Sequence, residues 1–303
     1  MDSIIDDLKN AWKRPNNSLP QFIIINVGIF LVLATIGIFS RLAGTDYPEI
    51  IRVIFWVPAN LGEFIMRPWT IITYAFAHDP DDFFHVLFNM LVMYWFGKLI
   101  VEYLGNQKLV NLYILGAMAG AALYLVFYNT IPYFAERSYV GMIGASAAVY
   151  AITVAAATLL PNYTFYLLLF GPVKIKYIAA FYIIISYLGI TGGNAGGNIA
   201  HLGGAALGFI YIRQLQKGND LGAWIPGVAG FFMSFFKKQE RIKVSHKRAN
   251  PTRSANTRSS GNTATNIADQ AEIDTILDKI SQSGYDSLTQ AEKQKLFNAS
   301  KKG

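Results

Sequence analysis

The sequence predicts an all-α membrane protein: a bundle of six transmembrane helices with an embedded outer loop and a short cytoplasmic helical tail. Three observations lead there. Of the 303 residues, 53% are hydrophobic and only 15% charged, against about 25% charged in soluble domains. Six stretches, roughly 21–43, 83–104, 108–131, 140–160, 176–190 and 198–216, are long and apolar enough to span. Three of them carry polar groups that a bilayer penalises: His85 and Asn89 in the second, Ser146 in the fourth and His201 in the sixth.

In chain order, residues 1–20 form a polar cytoplasmic lead ending at Pro20, and residues 21–216 the membrane domain. The first stretch is followed by no small-residue cleavage site, so it reads as a retained helix and not as a signal peptide. Residues 44–82 make a long outer loop with its own amphipathic pattern, Ile50, Ile51, Ile54, Phe55 and Val57, then Leu61 and Phe64. Those spacings suggest helices lying in the interface. The later outer loop, Thr191 to Gly197, is short and Gly-rich.

Residues 217–268 read as an interfacial segment followed by a basic, disordered linker. The apolar part, 221–236, is too short for a crossing and is interrupted by Gly222, Pro226, Gly227 and Gly230. Between Lys237 and Arg258 there are eight Lys or Arg and one acid, a juxtamembrane anchor for anionic lipid heads. This is where the net charge of +7 concentrates, so the basic balance points to a bilayer and not to nucleic acid. Residues 269–303 form a small cytoplasmic helical tail: Ile273, Ile276, Leu277 and Ile280 recur at helical spacing, and Thr289 with Glu292 sets up a capping box.

Basic residues orient the chain. Lys9, Lys13 and Arg14 precede the first stretch; Lys98, Lys108, Lys174 and Lys176 flank the inner turns, and the basic tail follows the sixth. The opposite loops hold Arg41, Arg52, Arg67 and Arg137, partly offset by Asp46, Glu49, Glu63 and Glu136. Both termini are expected in the cytoplasm, in a multi-pass protein of the plasma (inner) membrane, with the polar site near the outer face.

On that topology the second, fourth and sixth helices all start from the outer face. At 1.5 Å per residue, His85, Asn89, Ser146 and His201 all fall within about two turns of it. A hydroxyl and an imidazole at one depth are the minimum equipment for nucleophilic acyl transfer. His85 and Asn89, four apart, share a helix face and offer two donors for the oxyanion of a tetrahedral intermediate. Ser146 and Tyr150 share a face too, which places a ring where it can pack on His201. No aspartate or glutamate lies at that depth to orient the histidine, so the stacked tyrosine is the expected substitute. Gly204 and Gly208 form a small-residue face, matched by Ala147, Ala148 and Ala151. Gly116 and Gly120 are read as packing positions only. Asn198 is expected either to cap the sixth helix or to support the oxyanion.

These motifs together resemble the rhomboid intramembrane serine proteases. The family's Gly-x-Ser-Gly reads here Gly144-Ala145-Ser146-Ala147; its His-x3-Asn matches His85 and Asn89; its Ala-His-x2-Gly-x3-Gly matches Ala200, His201, Gly204 and Gly208. Tyr150, Asn198 and His78 also fall on family positions. The resemblance covers about residues 20–216 and departs at two places: Ala147 replaces the usual glycine, and Trp69-Thr70, with Arg67 just before, replaces a Trp-Arg pair. It implies a rhomboid-like fold, Ser146 as nucleophile, His201 as general base, and His85, Asn89 and the Ser146 N–H around the oxyanion. The implied substrates are transmembrane segments of membrane proteins; a catalytically silent rhomboid-like binder is the alternative.

Other chemistries fail on inventory. There is no cysteine, which excludes disulfides and thiolate chemistry, and no His-Glu-x-x-His for zinc. His78 with Asp79, Asp81 and Asp82 reads as a solvated loop and not as a metal site. No cofactor, metal or nucleic-acid partner is expected; the expected partners are substrates and the lipid bilayer, and the sequence says nothing of oligomeric state.

Overall fold

Helix α2, Ser18–Leu42, crosses the bundle beside α6, Phe83–Leu104, and α7, Asn106–Thr130. The computed structural model describes residues 4–14, 16–135, 141–167, 170–236, 273–280 and 287–300. It contains two compact units, Met1–Lys238 and Gln239–Gly303. A short helix, α1 (Ile4–Lys13), precedes α2. The basic stretch 237–258, and Glu136 and Arg137, lie outside the described residues.

Among the described residues, only α2, α6 and α7 are by themselves both long and apolar enough to cross a membrane. Asp82 starts α6 by accepting the His85 N–H at 2.9 Å. One residue, Gly105, joins α6 to α7 with φ +86, a conformation costly for side chains with a Cβ. Asn26, fully buried in α2, donates to the Tyr113 hydroxyl on α7 at 3.0 Å, polar glue worth about 0.6 kcal/mol inside a bilayer.

The 44–82 loop folds into short helices, α3 (Glu49–Phe55), α4 (Leu61–Met66) and α5 (Thr70–Thr73), followed by a 3-10 turn at Tyr74–Phe76. Ile50, Ile65, Met66 and Trp69 are exposed on it, in keeping with the amphipathic pattern. The Trp-Arg departure has a local answer. Arg67 pairs with Glu63 at 3.3 Å, while Trp69 Nε1 donates to the Val53 carbonyl at 3.2 Å and the Thr73 hydroxyl to that of Ile54 at 2.5 Å. Beside the Arg67–Glu63 pair, the indole and Thr73 tie α5 to α3.

After α7 comes a short turn of helix, α8 (Pro132–Ala135), and then α9, Ser146–Leu159. The fourth stretch was expected to be helical from 140. It starts at Ser146 because Met142 bridges Val57 in extended pairing. Helix α9 is the centre of the bundle: of its 14 residues, ten are buried, and α6, α7, α10 and α11 all pack against it. Its alanines make this possible. A methyl on Gly116 or Gly120 of α7 would collide with the Ala151 or Ala147 methyl, and one on Gly204 or Gly208 of α11 with the carbonyl oxygens of Ala147 or Ala151. Small residues on both flanks let backbones approach where lipid gives no hydrophobic drive.

A two-stranded antiparallel hairpin, β1 (Thr164–Leu167) and β2 (Gly171–Lys174), leads into α10 (Ile175–Leu188). No hairpin was expected between the fourth and fifth stretches; Phe165 holds this one by packing on Phe96 at 5.2 Å. Helix α11 runs from Ala195 to Leu215, three residues earlier than expected. At its far end, Asp220 accepts from Tyr211 at 2.8 Å, from the Gly222 N–H at 3.0 Å and from Lys108, which fastens α11 to the start of α7. Residues 225–236 form α12, about 18 Å long.

In the second unit, residues 273–280 and Gln290–Ser300 are helical. The capping box forms: the Glu292 carboxylate accepts the Thr289 N–H at 2.7 Å, and the Thr289 hydroxyl accepts the Glu292 N–H at 3.4 Å. The Thr289 N–H, then Lys279 and the Thr289 hydroxyl, hold that carboxyl down at about 2.

Candidate active site

Ser146 is the first residue of α9, so its N–H has no partner within its own helix. Four bonds from the 44–82 loop fix the segment that presents it. Val57 and Met142 exchange backbone bonds at 2.9 and 3.0 Å, the Gly144 N–H donates to the Tyr74 carbonyl at 3.1 Å, and the Ala145 N–H to His78 Nε2 at 3.5 Å. Gly144 has φ +129, and a methyl there would also strike the His85 ring at 2.8 Å. Glycine is needed on both counts.

His201 comes from the second turn of α11. Its Nε2 is 2.8 Å from Ser146 Oγ. Tyr150, one turn below Ser146, stacks on the imidazole with ring centroids 4.2 Å apart and planes inclined 13°. On the other side of the ring, Nδ1 is 3.1 Å from Ser186 Oγ. Ser186 is fully buried on α10 and donates to the Tyr150 hydroxyl at 2.9 Å, which in turn donates to the Tyr182 carbonyl at 3.4 Å. The stacked Tyr150 was expected behind His201 in place of a carboxylate; Ser186 was not. A search for hydroxyls in the apolar stretches would have raised it, since it sits mid-segment four residues after Tyr182.

His85 and Asn89 lie on one face of α6 and line a pocket of about 410 Å³ together with Ser146 and His201. Asn89 Nδ2 donates to the His85 carbonyl at 2.9 Å, which leaves its second amide hydrogen for another acceptor. A second cavity of about 760 Å³ reaches Ser146 from another side, lined by Gly144, Asp79, Asp82 and the Gly192–Gly197 loop. The nucleophile candidate is open on two sides.

Two expectations need correction. Asn198 neither caps α11 nor lines either cavity. Because the helix starts at Ala195 with Asn194 at its cap position, Asn198 lies inside it and donates to the Gly189 carbonyl at 2.9 Å, closing the end of α10. His78 is not solvated. It is fully buried, edge-on to His85 at 5.1 Å, and its Nδ1 has no hydrogen-bond partner. Burial, then His85, pushes its imidazole down to about 3, so Nε2 is available to accept from Ala145. Among the described residues no group of three His, Asp or Glu could hold a metal.

Gly204 lies against α9, as its place in the small-residue face required. Ala147, where the family pattern has glycine, turns its methyl toward Gly120 of α7, which explains how the bundle accommodates it.

Residues 66–217 match the family model described as the rhomboid domain, and residues 264–302 match a family of unknown function, DUF6576. The chain is 37% identical over 166 residues to RHOMBOID-like protein 12, mitochondrial, of Arabidopsis thaliana, over 50% of this chain and 48% of that protein. It is 27% identical over 226 residues to Rhomboid-like protein 16, chloroplastic, of the same plant, over 70% and 67% of the two chains. It is 29% identical over 192 residues to Rhomboid protein 1, mitochondrial, of Saccharomyces cerevisiae, over 62% and 54%. The match spans about half the length of the first of these relatives.

Proposed function

The chain belongs to the rhomboid family, and on that footing we propose that it is an intramembrane serine endopeptidase that cuts in or beside the transmembrane segments of other membrane proteins. The observation that carries the reading is the 2.8 Å approach of His201 Nε2 to Ser146 Oγ, inside the bundle and open to two cavities.

In this reading Ser146 Oγ attacks the scissile carbonyl while His201 takes its proton at Nε2. The new oxyanion lies at the N-terminus of α9, where the Ser146 N–H is unpaired and the helix dipole favours negative charge. Asn89 and His85 supply the remaining donors. His201 then returns the proton to the departing amine, leaving an acyl ester on Ser146. Water cleaves the ester: His201 removes its proton, and the same proton goes back to Ser146 Oγ as the new acid leaves. No step calls for a cofactor.

The membrane arrangement we propose has six crossings, α2, α6, α7, α9, α10 and α11. Helices α9 and α10 have 14 residues each, about 21 Å, so they reach across only with their neighbours and adjoining loops. The basic residues put both termini on one side, with Ser146 nearer the other. The relatives are named as mitochondrial or chloroplastic proteins and lend no support to a plasma membrane; the orientation argument does not depend on which membrane it is.

A fluorophosphonate probe on the purified full chain tests the reading. Adduct formation that disappears in Ser146→Ala supports it. Absence of any Ser146-dependent adduct would favour the silent binder.

A further inference from the structure

We propose that Ser186, backed by the Tyr150 hydroxyl and the Tyr182 carbonyl, positions His201 through a neutral relay that stands where a triad has its carboxylate. The proposal rests on the roles given above to Ser146 and His201. It starts from the fact that both ring nitrogens of His201 are engaged, Nε2 by Ser146 Oγ at 2.8 Å and Nδ1 by Ser186 Oγ at 3.1 Å.

The direction of the relay follows from its last member. A carbonyl oxygen only accepts, so the Tyr150 hydroxyl donates to Tyr182 at 3.4 Å. Its oxygen is then free to accept from Ser186 at 2.9 Å. With its own hydrogen committed, Ser186 Oγ accepts from Nδ1–H. The proton on Nδ1 leaves Nε2 bare toward Ser146, the tautomer that a general base requires. The opposite tautomer would put N–H toward the nucleophile and offer no place for its proton.

A neutral relay suits this location. A buried carboxylate in a lipid-embedded bundle carries a heavy desolvation cost, whereas a serine and a tyrosine carry little when each bond is made. The relay also gives Tyr150 two tasks. Its hydroxyl carries the chain from Nδ1 on to the Tyr182 carbonyl, and its ring face, 4.2 Å from the imidazole, stabilises the imidazolium that forms during attack. The members come from three helices, Tyr150 on α9, Ser186 and Tyr182 on α10 and His201 on α11, so the register of α10 matters to the base. Ser186 touches no reacting atom in this scheme and is a positioning residue.

The test uses the full chain in liposomes. Ser186→Ala should lower kcat about 10- to 100-fold with little change in KM, a smaller loss than the about 10⁴-fold that follows disabling a triad's orienting aspartate. Ser186→Thr, which keeps a hydroxyl, should recover most of it. Tyr150→Phe keeps the ring and removes the hydroxyl; the double variant Ser186→Ala/Tyr150→Phe should be no slower than Ser186→Ala. A readout independent of cleavage comes from ¹⁵N-labelled histidine, with the His201 signal assigned by its loss in His201→Gln. The wild type should carry the proton on Nδ1, and Ser186→Ala should mix the two tautomers. An unchanged tautomer in Ser186→Ala would overturn the relay, even if kcat falls. An unchanged kcat would overturn it too. Failure of Ser146 to label with fluorophosphonate would instead count against the protease reading, since the tautomer measurement needs no activity.

Discussion

Gly204 of α11 presses against the backbone carbonyl of Ala147 on α9, with no room for a methyl between them. The contact sits one turn below His201 and one residue after Ser146, so the approach of the two helices sets the 2.8 Å bond between those side chains.

Gly204→Ala should therefore destabilise the bundle by about 1–3 kcal/mol, the usual range for overpacking, and reduce cleavage by widening the Ser146–His201 gap. Gly28→Ala on α2, where an added methyl meets nothing within 4 Å, should hold or raise stability, because alanine is the better helix former. Thermal unfolding of the two variants in detergent makes the comparison. Equal melting temperatures would remove the close-packing argument.

Ser146→Ala and His201→Ala should each abolish cleavage of a membrane substrate with the protein still folded. The double variant should be no worse than either single one, because neither half of a nucleophile–base pair works alone. Residual turnover in the Ser146 variant would sink the assignment.

Asn89→Ala should cost about 10²–10³ in kcat, the usual effect of losing one oxyanion donor, with KM nearly constant. His85→Ala should lose rate and also melt lower, since the His85 ring packs on Gly144. An Asn89→Ala enzyme with full activity would leave that side chain with a packing role only.

The Asp220 cluster predicts acid sensitivity. Partial burial raises its carboxyl, but bonds from Lys108, Tyr211 and the Gly222 N–H outweigh that and hold it below the ordinary aspartate value. A depressed folded-state value means the stabilisation is complete above the unfolded pKa, near 4, and is lost as pH falls through the folded value. Melting temperature should fall below about pH 4, and Asp220→Asn should flatten that part of the curve while lowering the plateau. A parallel profile in the variant would contradict this.

Truncation after Lys238 removes the second compact unit at its boundary. The shortened chain should fold and cut a model substrate at the full-length rate, because the polar groups around Ser146 all lie in the first unit. A folded but inactive truncation would make residues 239–303 part of the catalytic unit.

Much of the site was legible in the sequence because helical periodicity converts spacing into shared faces. His85 with Asn89 and Ser146 with Tyr150 are each four apart, and each pair does share a face in the folded chain. Loop geometry was not legible. Nothing in the residues around Val57, Tyr74 or His78 states that they hold the 141–145 segment in extended form, since those bonds run between segments tens of residues apart. Asn198 was misread because its helix starts one turn earlier than its apolar residues suggest, at small Ala195, Gly196 and Gly197.

By itself the sequence determined which segments are apolar, which helices can pack closely, and that a serine and a histidine lie near one depth; composition and 3.6-residue periodicity act locally, and the residues carry them. Only the tertiary structure decided what stands behind His201. Ser186 is an ordinary hydroxyl in an apolar stretch until α10 packs beside α9 and α11. Its role depends on the facing of three helices, and that angle is set by side-chain packing across the bundle, which no single helix encodes.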